Sequence, residues 1–333
     1  MEILKLAVSG WFARALAVAA RLEIADILDG GSMSSAELAK RTGTDPDVLH
    51  RLLQMLTVPG VLVRDGEEFR LGEQFAPLRA DHPFTQRHFT ILAAELYDDA
   101  FAGLLHTVKT GRSGFKEVFG ETLYEYLEHH PESAELFDQG MVDLAAPVAQ
   151  CLLTVHDFTG ARTIVDVGGG SGGVLPGLLA AHPALQGTVA DRPSVCERGR
   201  RNLARVADEG VRARISFTPS DFFAEVPAGA DRYLLKNVLH DWTYDNCVRV
   251  LRTVATAMAD SPADARLLVI EPLVETDLDS WRAVFQAVAC DEGTLGLDEP
   301  ALRRALDEAG LTVESVAPLP TGHKAIECSL RAS

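Results

Sequence analysis

The feature that most restricts the fold of this chain is a cluster of glycines directly behind an apolar, β-like segment. The stretch IVDVGGGSGG occupies residues 164–173 and contains five glycines. Glycines at such a place let the backbone turn sharply and approach a ligand closely, as at the point where the strand order of an open parallel sheet reverses. A helical pattern, VLPGLLAAH, follows at residues 174–182. The sequence therefore predicts a strand, a ligand-binding loop and a helix in succession.

The second half of the chain alternates short β-like runs with helical segments. This alternation is typical of a mostly parallel sheet with helices on both faces. We therefore predict an α/β, Rossmann-like domain over residues 156–333. The predicted strands are RTIVDV, GTVAD, ISFTPSD, RYLLKN, ARLLVIE, LTVESVAP and AIECSLRA.

Residues 1–80 have a different pattern, in which helices precede a hairpin. Ser34 is placed to cap a helix that ends at Gly43. Two β-like runs then flank Asp65-Gly66, a strong two-residue turn sequence. Helices followed by a hairpin predict a winged-helix-like domain.

Residues 81–155 form a third segment, which is helical throughout apart from a break at Gly111 and Gly114. We expect it to connect the other two domains and to cover a pocket. The first helix of the chain, ILKLAVSGWFARALAVAARL, is too apolar to face water on all sides. The sequence therefore predicts a homodimer that pairs through the N-terminal domain.

The charge and composition argue against several classes of partner. The chain carries 48 acidic and 31 basic residues, a formal charge of −17, which repels nucleic acid in the absence of a basic patch. The N-terminus places Arg14 and Arg21 among its apolar residues, unlike a signal peptide, and no uninterrupted apolar run reaches the roughly 18 residues of a membrane span. We expect a cytoplasmic protein that binds neither nucleic acid nor a membrane. The five cysteines form no CxxC pair, so we expect no metal site.

Three aspartates follow three successive predicted strands. Asp166 precedes the glycines, Asp191 ends the next strand, and Asp221 ends the third, followed by Phe222. A carboxylate at position 166 suits a ligand with an ammonium group, such as the amino-acid end of S-adenosylmethionine. One at position 191 suits ribose hydroxyls, and an acid beside an aromatic ring suits adenine.

The glycines alone leave the cofactor open. Gly168, Gly170 and Gly173 also match GxGxxG, the pattern of a dinucleotide site. Dinucleotide folds usually keep an apolar strand residue where this chain has Asp166. The surroundings of the loop therefore favour S-adenosylmethionine over a nicotinamide cofactor.

At LLKNVLHDWTYDNCVRVL, residues 234–251, the sequence resembles the two-domain small-molecule O-methyltransferases, which include plant phenolic enzymes and bacterial enzymes of antibiotic biosynthesis. With VDVGGGSGG, SDFF and VIEP, the resemblance covers nearly the whole chain. It implies an S-adenosylmethionine-dependent enzyme that methylates a hydroxyl group and releases S-adenosylhomocysteine. It also implies a homodimer whose N-terminal domain does not bind DNA.

The resemblance assigns roles to particular residues. It implies that His240 is the general base and that Glu271 orients its imidazole. It also implies a set of cofactor contacts: the loop of Gly168 and Gly170, with Asp166, Asp191, Asp221, Phe222 and Lys236. The chemistry agrees, because a phenol is a poor nucleophile at neutral pH and a histidine can take its proton as the oxygen attacks.

One departure from the family pattern concerns the base. Many relatives carry a second glutamate beside the histidine, in a GG-x-E-R-T segment. Counting back from the AGL at residues 309–311 places Gly296 at that position. Glu292 and Glu299 are the candidates to replace it.

Other functions remain open at this point. The same cofactor could serve methylation of nitrogen or carbon, or a reaction without methyl transfer. A winged-helix sensor of small molecules and a dehydrogenase are the more distant alternatives. The sequence does not identify the methyl acceptor, which we expect to be a small, hydroxylated, flat metabolite.

Overall fold

The computed structural model describes residues 2–206 and 208–331. The chain divides into two compact units, residues 1–99 and 100–333. Residues 81–99, which we grouped with the helical connector, thus fall in the N-terminal unit. The three-part division at residues 80 and 155 stays a prediction.

The N-terminal unit is mainly helical, with helix ends where the capping residues predict them. Ser34 accepts a hydrogen bond from the Glu37 amide at the start of one helix, which ends at Gly43 in the left-handed conformation. Its helices are α1 (Glu2–Ala7), α2 (Ser9–Arg21), α3 (Ile24–Ile27), α4 (Ser35–Thr42), α5 (Pro46–Thr57) and α6 (Arg87–Leu92). A 3-10 helix (Glu73–Leu78) and a π-helical turn (Ala93–Tyr97) complete it, and α7 (Asp98–Ala100) ends at the boundary.

The predicted hairpin is present in this unit, with its turn shifted by one residue. Strands β2 (Leu62–Asp65) and β3 (Glu68–Leu71) pair antiparallel, and Asp65 pairs with Glu68, so that the loop is Gly66-Glu67. Gly66 has φ +59°, which glycine adopts without strain. A third strand, β1 (Ser32–Ser34), pairs with β3 and was not predicted, because three residues are too few to show a pattern.

The first helices leave much of their apolar surface uncovered within the single chain. Ile3, Leu6 and Trp11 are 86%, 77% and 67% exposed. Residues Glu2–Arg21 contain an 18-residue stretch with a mean hydropathy of 1.5, of which 22% is buried, so by length and composition this segment could cross a membrane. This is weak support for a membrane span, since core helices of globular proteins share this length and composition, and the expectation that the protein binds no membrane stays a prediction.

The second unit begins with helices and continues as the alternating α/β pattern. Gly111 ends α8 in the left-handed conformation, with φ +72°, and Gly114 begins the next helix, as the predicted break requires. The helices are α8 (Leu104–Thr110), α9 (Gly114–Phe119), α10 (Leu123–His129), α11 (Pro131–Val155), α12 (Leu175–Ala181), α13 (Pro193–Leu203), α14 (Glu209–Arg212), α15 (Tyr244–Ala259), α16 (Ser280–Ala289) and α17 (Glu299–Glu308).

All seven predicted strands are present in one sheet of this unit. They are β4 (Thr163–Val167), β5 (Gln186–Asp191), β6 (Ile215–Pro219), β7 (Arg232–Lys236), β8 (Arg266–Glu271), β9 (Leu311–Pro318) and β10 (Lys324–Leu330). The spatial order is β6-β5-β4-β7-β8-β10-β9. The first five are parallel, and β10 runs antiparallel to both β8 and β9. The predicted α/β, mostly parallel Rossmann-like fold is confirmed.

The order of the strands fixes where a ligand can bind. Successive strands run outward from β4 to β6 on one side, and the chain then returns to place β7 on the other side of β4. A crevice opens at such a reversal, beyond the carboxyl ends of the strands. Apolar clusters, which include Val167 and Leu235 in one and Ile164 and Leu234 in the other, bury both faces of the sheet, so a ligand is expected beyond the carboxyl edge.

Candidate active site

Five ionisable side chains gather at the carboxyl edge of the parallel strands. Asp166 lies near the end of β4, and Asp191, Lys236 and Glu271 are the last residues of β5, β7 and β8. Asp221 follows the end of β6 by two residues. The sheet therefore brings together residues that are far apart in the chain.

Asp166 is, with Glu271, one of the two most deeply buried acids of this edge. Its residue is 1% exposed, and its Oδ2 is buried with no hydrogen-bond partner among the described residues. A β-carbon on Gly169 would lie 2.5 Å from that oxygen, so only glycine leaves room for the carboxylate. Burial raises the pKa of Asp166 to about 7, although the charge of Lys236 counteracts the rise.

The glycine loop continues this cradle. Gly168 has φ +66°, and its amide donates to the Ala190 carbonyl at 2.8 Å. A β-carbon there would approach Val238 Cγ2 to 3.0 Å. Gly170 has φ +59° and faces open space, since no atom of the described residues lies within 4 Å of where a β-carbon would stand. The loop thus packs closely against the protein at Gly168 and leaves space for a ligand at Gly170.

Asp191 ties the loop to the next strand. Its Oδ2 accepts the Gly170 amide at 2.8 Å, and its Oδ1 accepts the Arg192 amide at 2.7 Å. The residue is buried, and this burial raises its pKa despite the two amide donors. Each oxygen keeps a lone pair that can accept a ligand hydroxyl.

Aromatic rings lie beside the glycines. Phe222 approaches the Gly168 β-carbon position to 3.4 Å. Its ring contacts Trp242 edge-on at 5.9 Å, and Phe223 contacts the same indole at 4.8 Å. Asp221 is exposed and accepts the Phe223 amide at 3.0 Å. An apolar face with an accessible acid next to it matches an adenine ring with its amino group.

These residues fit S-adenosylmethionine. Two buried oxygens in the loop region, Asp166 Oδ2 and Ser171 Oγ, have no partner in the described chain and would be satisfied by polar groups of a ligand. An ammonium group is the natural partner for an acid such as Asp166. The contact roles of Gly168, Gly170, Asp191, Asp221, Phe222 and Lys236 remain predictions.

His240 lies in a short 3-10 turn, Leu239–Asp241, that follows β7. Its Nδ1 lies 2.6 Å from Glu271 Oε2, and Glu271 is fully buried. Glu271 Oε1 accepts the amides of Val238 and Leu239 at 2.9 and 2.8 Å, which holds the carboxylate in place. The predicted pairing of His240 with Glu271 is present.

Electrostatics around His240 favour its charged form. Burial by itself lowers the pKa of His240, but the carboxylates of Asp241 and Glu271 outweigh it and raise the pKa to about 9. Lys236 acts in the opposite direction. Burial lowers the pKa of Lys236 itself to about 8, against the attraction of Asp166, Glu271 and Asp241.

A strained residue precedes this turn. Asn237 has φ +56°, a left-handed conformation that non-glycine residues rarely adopt, and its Oδ1 lies 2.9 Å from His323 Nε2. Burial, with the nearby charges of Lys236 and His240, lowers the pKa of His323 to about 3. A neutral His323 therefore donates to Asn237 and holds the backbone between Lys236 and the 3-10 turn.

The other nitrogen of His240 has a neighbour that sequence reasoning missed. Nε2 lies 3.3 Å from Asp241 Oδ1. Asp241 also accepts hydrogen bonds from the Tyr124 hydroxyl at 2.5 Å and the Cys290 thiol at 3.0 Å. In the sequence, the position of Asp241 directly after His240 was the available hint.

Neither candidate for the second glutamate reaches His240. Glu292 pairs with Arg112 at 3.3 Å, and Glu299 pairs with Lys324 at 2.6 Å. Gly296 has φ +92°, and a β-carbon there would lie 3.0 Å from Val274 Cγ2, so this position is built for glycine. The suggestion that Glu292 or Glu299 fills the role is wrong, because both are engaged by basic partners elsewhere.

Family models match both parts of the chain. Residues 4–74 match the O-methyltransferase dimerisation domain, and residues 101–288 match the O-methyltransferase domain. Together these matches follow the order that the sequence predicts.

Individual relatives match nearly the full length. The mitomycin biosynthesis 6-O-methyltransferase of Streptomyces lavendulae is 35% identical over 94% of this chain and 89% of its own. The crystal structure of LaPhzM superposes with a TM-score of 0.88 at 28% identity, covering 98% of each chain. The aclacinomycin 10-hydroxylase RdmB of Streptomyces purpurascens is 36% identical over 77% of this chain and 68% of its own. Solved relatives include forms with S-adenosylmethionine or S-adenosylhomocysteine bound.

Proposed function

This chain belongs to the S-adenosylmethionine-dependent O-methyltransferase family, and we propose that it methylates a hydroxyl of a small aromatic or polyketide-like metabolite with His240 as general base. The observation that carries the proposal is the pairing of His240 Nδ1 with the buried Glu271 at the same sheet edge as the glycine loop. The base and the cofactor cradle thus share one crevice.

The cofactor supplies an electrophilic methyl group on a sulfonium. We assign Asp166 to its ammonium group and Asp191 to its ribose hydroxyls. Asp221 and Phe222 take the adenine, while the loop of Gly168 and Gly170 gives the backbone the room to approach. Lys236 completes the set as a cofactor contact at the end of β7.

The general-base step follows from the hydrogen bonds of His240. Because Glu271 accepts from Nδ1, the proton of the neutral imidazole stays on Nδ1 and the lone pair is on Nε2. Nε2 then takes the proton of the acceptor hydroxyl as the oxygen attacks the methyl carbon. Positive charge bound at this edge would lower the pKa of His240 from about 9, in the direction in which Lys236 already acts.

The setting of the enzyme is proposed on separate grounds. The dimerisation-domain match and the exposed Ile3, Leu6 and Trp11 support a homodimer that pairs through the N-terminal domain. We propose a cytoplasmic enzyme that binds neither nucleic acid nor a membrane, in line with the charge of −17. Antibiotic or other secondary metabolism is the context that the relatives' names support.

The test uses methyl-labelled S-adenosylmethionine and a panel of hydroxybenzoates, hydroxynaphthoates and hydroxyphenazines. With one accepted compound, His240→Ala should bind S-adenosylhomocysteine normally but turn over about 10²–10⁴-fold more slowly, the usual contribution of a positioned general base. The loss should shrink as the pH approaches the acceptor's own pKa, because the anion then forms without help. His129→Ala, at an exposed histidine, is the matched control. Full activity of His240→Ala at neutral pH would refute the base.

A second candidate is a reaction of the same bound cofactor without O-methylation, such as methylation of nitrogen or carbon. Two observations support this second candidate: one relative is named as a hydroxylase, and position 296 is a glycine where many relatives have a glutamate. Mass spectrometry of the product separates methyl transfer from hydroxylation, since a transferred methyl carries the label and an added oxygen does not. The NMR shift of the labelled methyl then distinguishes a methyl on oxygen from one on nitrogen or carbon.

A further inference from the structure

The proton-accepting nitrogen of His240 is not free of the protein. Nε2 lies 3.3 Å from Asp241 Oδ1, and both side chains are largely buried. A full hydrogen bond between an ammonium-type nitrogen and a carboxylate is shorter, about 2.7–2.9 Å. The separation of 3.3 Å is longer than this, so the carboxylate stabilises a charged imidazole without making a full hydrogen bond to Nε2.

Asp241 is held in this place by groups from two other segments. The Tyr124 hydroxyl of α10 donates to Oδ2 at 2.5 Å, and the Cys290 thiol, directly after α16, donates to Oδ1 at 3.0 Å. The Tyr124 ring stacks on Trp242 with centroids 5.7 Å apart and an angle of 18°. The Asp241 carbonyl accepts the Asp291 amide at 3.0 Å. These contacts fix the carboxylate against the imidazole.

The groups that act on the charge of His240 are few and identifiable. Glu271 from β8 and Asp241 raise its pKa, and Lys236 from β7 lowers it. The thiol of Cys290 stays protonated, since burial and the charge of Asp241 raise its pKa. His323 from the β9–β10 hairpin is neutral at physiological pH, because its pKa lies at about 3.

We propose that Asp241 is a positioning residue for the general base and takes the place of the second glutamate that Gly296 cannot provide. This inference rests on the proposed function of His240. When the acceptor gives its proton to Nε2, its oxygen bonds to the methyl carbon and the carbon–sulfur electron pair goes to sulfur. The imidazolium then has a carboxylate at each nitrogen, Glu271 at Nδ1 and Asp241 at Nε2, until the proton leaves to solvent.

The first experiment measures the base without any methyl transfer. Protein labelled at histidine ¹³Cε1 is titrated by NMR, with the His240 signal assigned through its loss in His240→Gln. Asp241→Asn should lower the pKa of His240 by about one unit or more, since a neighbouring charge is removed. Asp245→Asn removes an exposed acid of α15 and serves as the control that leaves this pKa unchanged. An unchanged pKa in Asp241→Asn would overturn the proposal.

A gentler variant covers the case in which Asp241→Asn does not fold. Tyr124→Phe keeps the aromatic ring beside Trp242 and removes the hydroxyl that donates to Asp241. The Asp241 carboxylate then has one hydrogen-bond donor fewer that competes with His240 for its negative charge, so the pKa of His240 should rise. A pKa that stays the same or falls in Tyr124→Phe contradicts the proposal.

The second experiment records kcat and kcat/KM against pH with an acceptor from the phenol panel. In Asp241→Asn the acid limb should move to lower pH by the shift seen in NMR, and the plateau of kcat should fall. KM for S-adenosylmethionine should stay within about twofold, because the cofactor contacts lie elsewhere. A lower plateau with an unmoved limb would show a merely structural role. His240→Ala could keep full activity although Asp241→Asn lowers the pKa of His240. His240 would then not be the general base, while the electrostatic pairing of Asp241 with His240 would still hold.

Discussion

Glu271 holds His240 through the shortest of the three hydrogen bonds that it accepts. The Nδ1–Oε2 distance is 2.6 Å, while the amides of Val238 and Leu239 both donate to Oε1. Because the amides can only donate, Oε1 must remain an acceptor in any variant that keeps this turn. The turn therefore dictates which atom of residue 271 faces the imidazole.

Glu271→Gln should consequently be more damaging than the loss of one charge implies. The two amides claim the glutamine oxygen, so its NH₂ group faces Nδ1 and forces the imidazole proton onto Nε2. In that tautomer Nε2 already carries a proton and cannot take one from the hydroxyl of the methyl acceptor. Turnover should therefore fall by about 10³-fold or more, as in other histidine–carboxylate pairs. Steady-state rates with a confirmed acceptor, with S-adenosylhomocysteine affinity as the folding check, measure this. A loss under tenfold would contradict it.

Gly168→Ala should weaken cofactor binding through the methyl group that it adds. At φ +66°, an added β-carbon lies 3.0 Å from Val238 Cγ2 and 3.4 Å from Phe222. Gly229→Ala is the matched control, since it has φ +85° but no atom of the described residues within 4 Å. Both variants carry left-handed strain of about 1–2 kcal/mol. Only Gly168→Ala should lose at least tenfold in S-adenosylhomocysteine affinity by calorimetry; equal affinities would rule out a close approach there.

Asp191→Ala removes the acceptor that we assign to the ribose. Affinity for S-adenosylhomocysteine should drop by about 1.5–3 kcal/mol, the range for hydrogen bonds to a charged group. Asp208→Ala, which removes a helix-capping acid that accepts the Val211 amide, controls for general loss of stability. If isothermal calorimetry finds the same affinity in Asp191→Ala as in wild type, the assignment of Asp191 to the ribose is wrong.

The double variant Leu6→Asp/Trp11→Asp should dissociate the homodimer that we propose. Both side chains are exposed in the single chain, so charging them leaves the fold of the unit intact and penalises only a buried contact. Val48→Asp, at a position 68% exposed on α5, is the control that should stay dimeric. Sedimentation at micromolar concentration reports the outcome. A double variant that still sediments as a dimer places the interface on another surface.

His323 should make the protein less stable in acid. Its pKa of about 3 lies below the ordinary 6.5, so between these values the unfolded chain binds a proton that the folded chain does not. Stability is thus full above about pH 6.5 and is lost as the pH falls toward about 3. The Tm advantage of wild type over His323→Gln should shrink from about pH 7.5 to about pH 5. His129→Gln should show no such convergence, and a constant Tm difference for His323→Gln would disprove the assignment.

Local sequence patterns predicted the helices and strands and the cofactor side of the candidate site. Seven strands and the turns at Gly43 and Gly111 follow from alternation, capping and left-handed glycines. The meeting of Asp166, Asp191 and Glu271 followed because parallel strands share their carboxyl edge. These are properties that neighbouring residues determine.

The acceptor side of the site depends on contacts that no local pattern records. Tyr124 and Asp241 are 117 positions apart, and Cys290 is 49 positions from Asp241. The pairing of Asn237 with His323 spans 86 positions and is accompanied by a left-handed φ that no glycine announces. Only the packing of α10 and α16 against the sheet edge decides which side chains meet there.

The two carboxylates beside His240 have different freedom to diverge. Glu271 is anchored by main-chain amides, which persist whatever side chains surround them. Asp241 is anchored by a phenol and a thiol from two helical segments, which single base changes can replace. Substitutions at Tyr124 or Cys290 in descendants of such a protein can therefore change the basicity of the histidine, while the anchoring of Glu271 by the main chain persists.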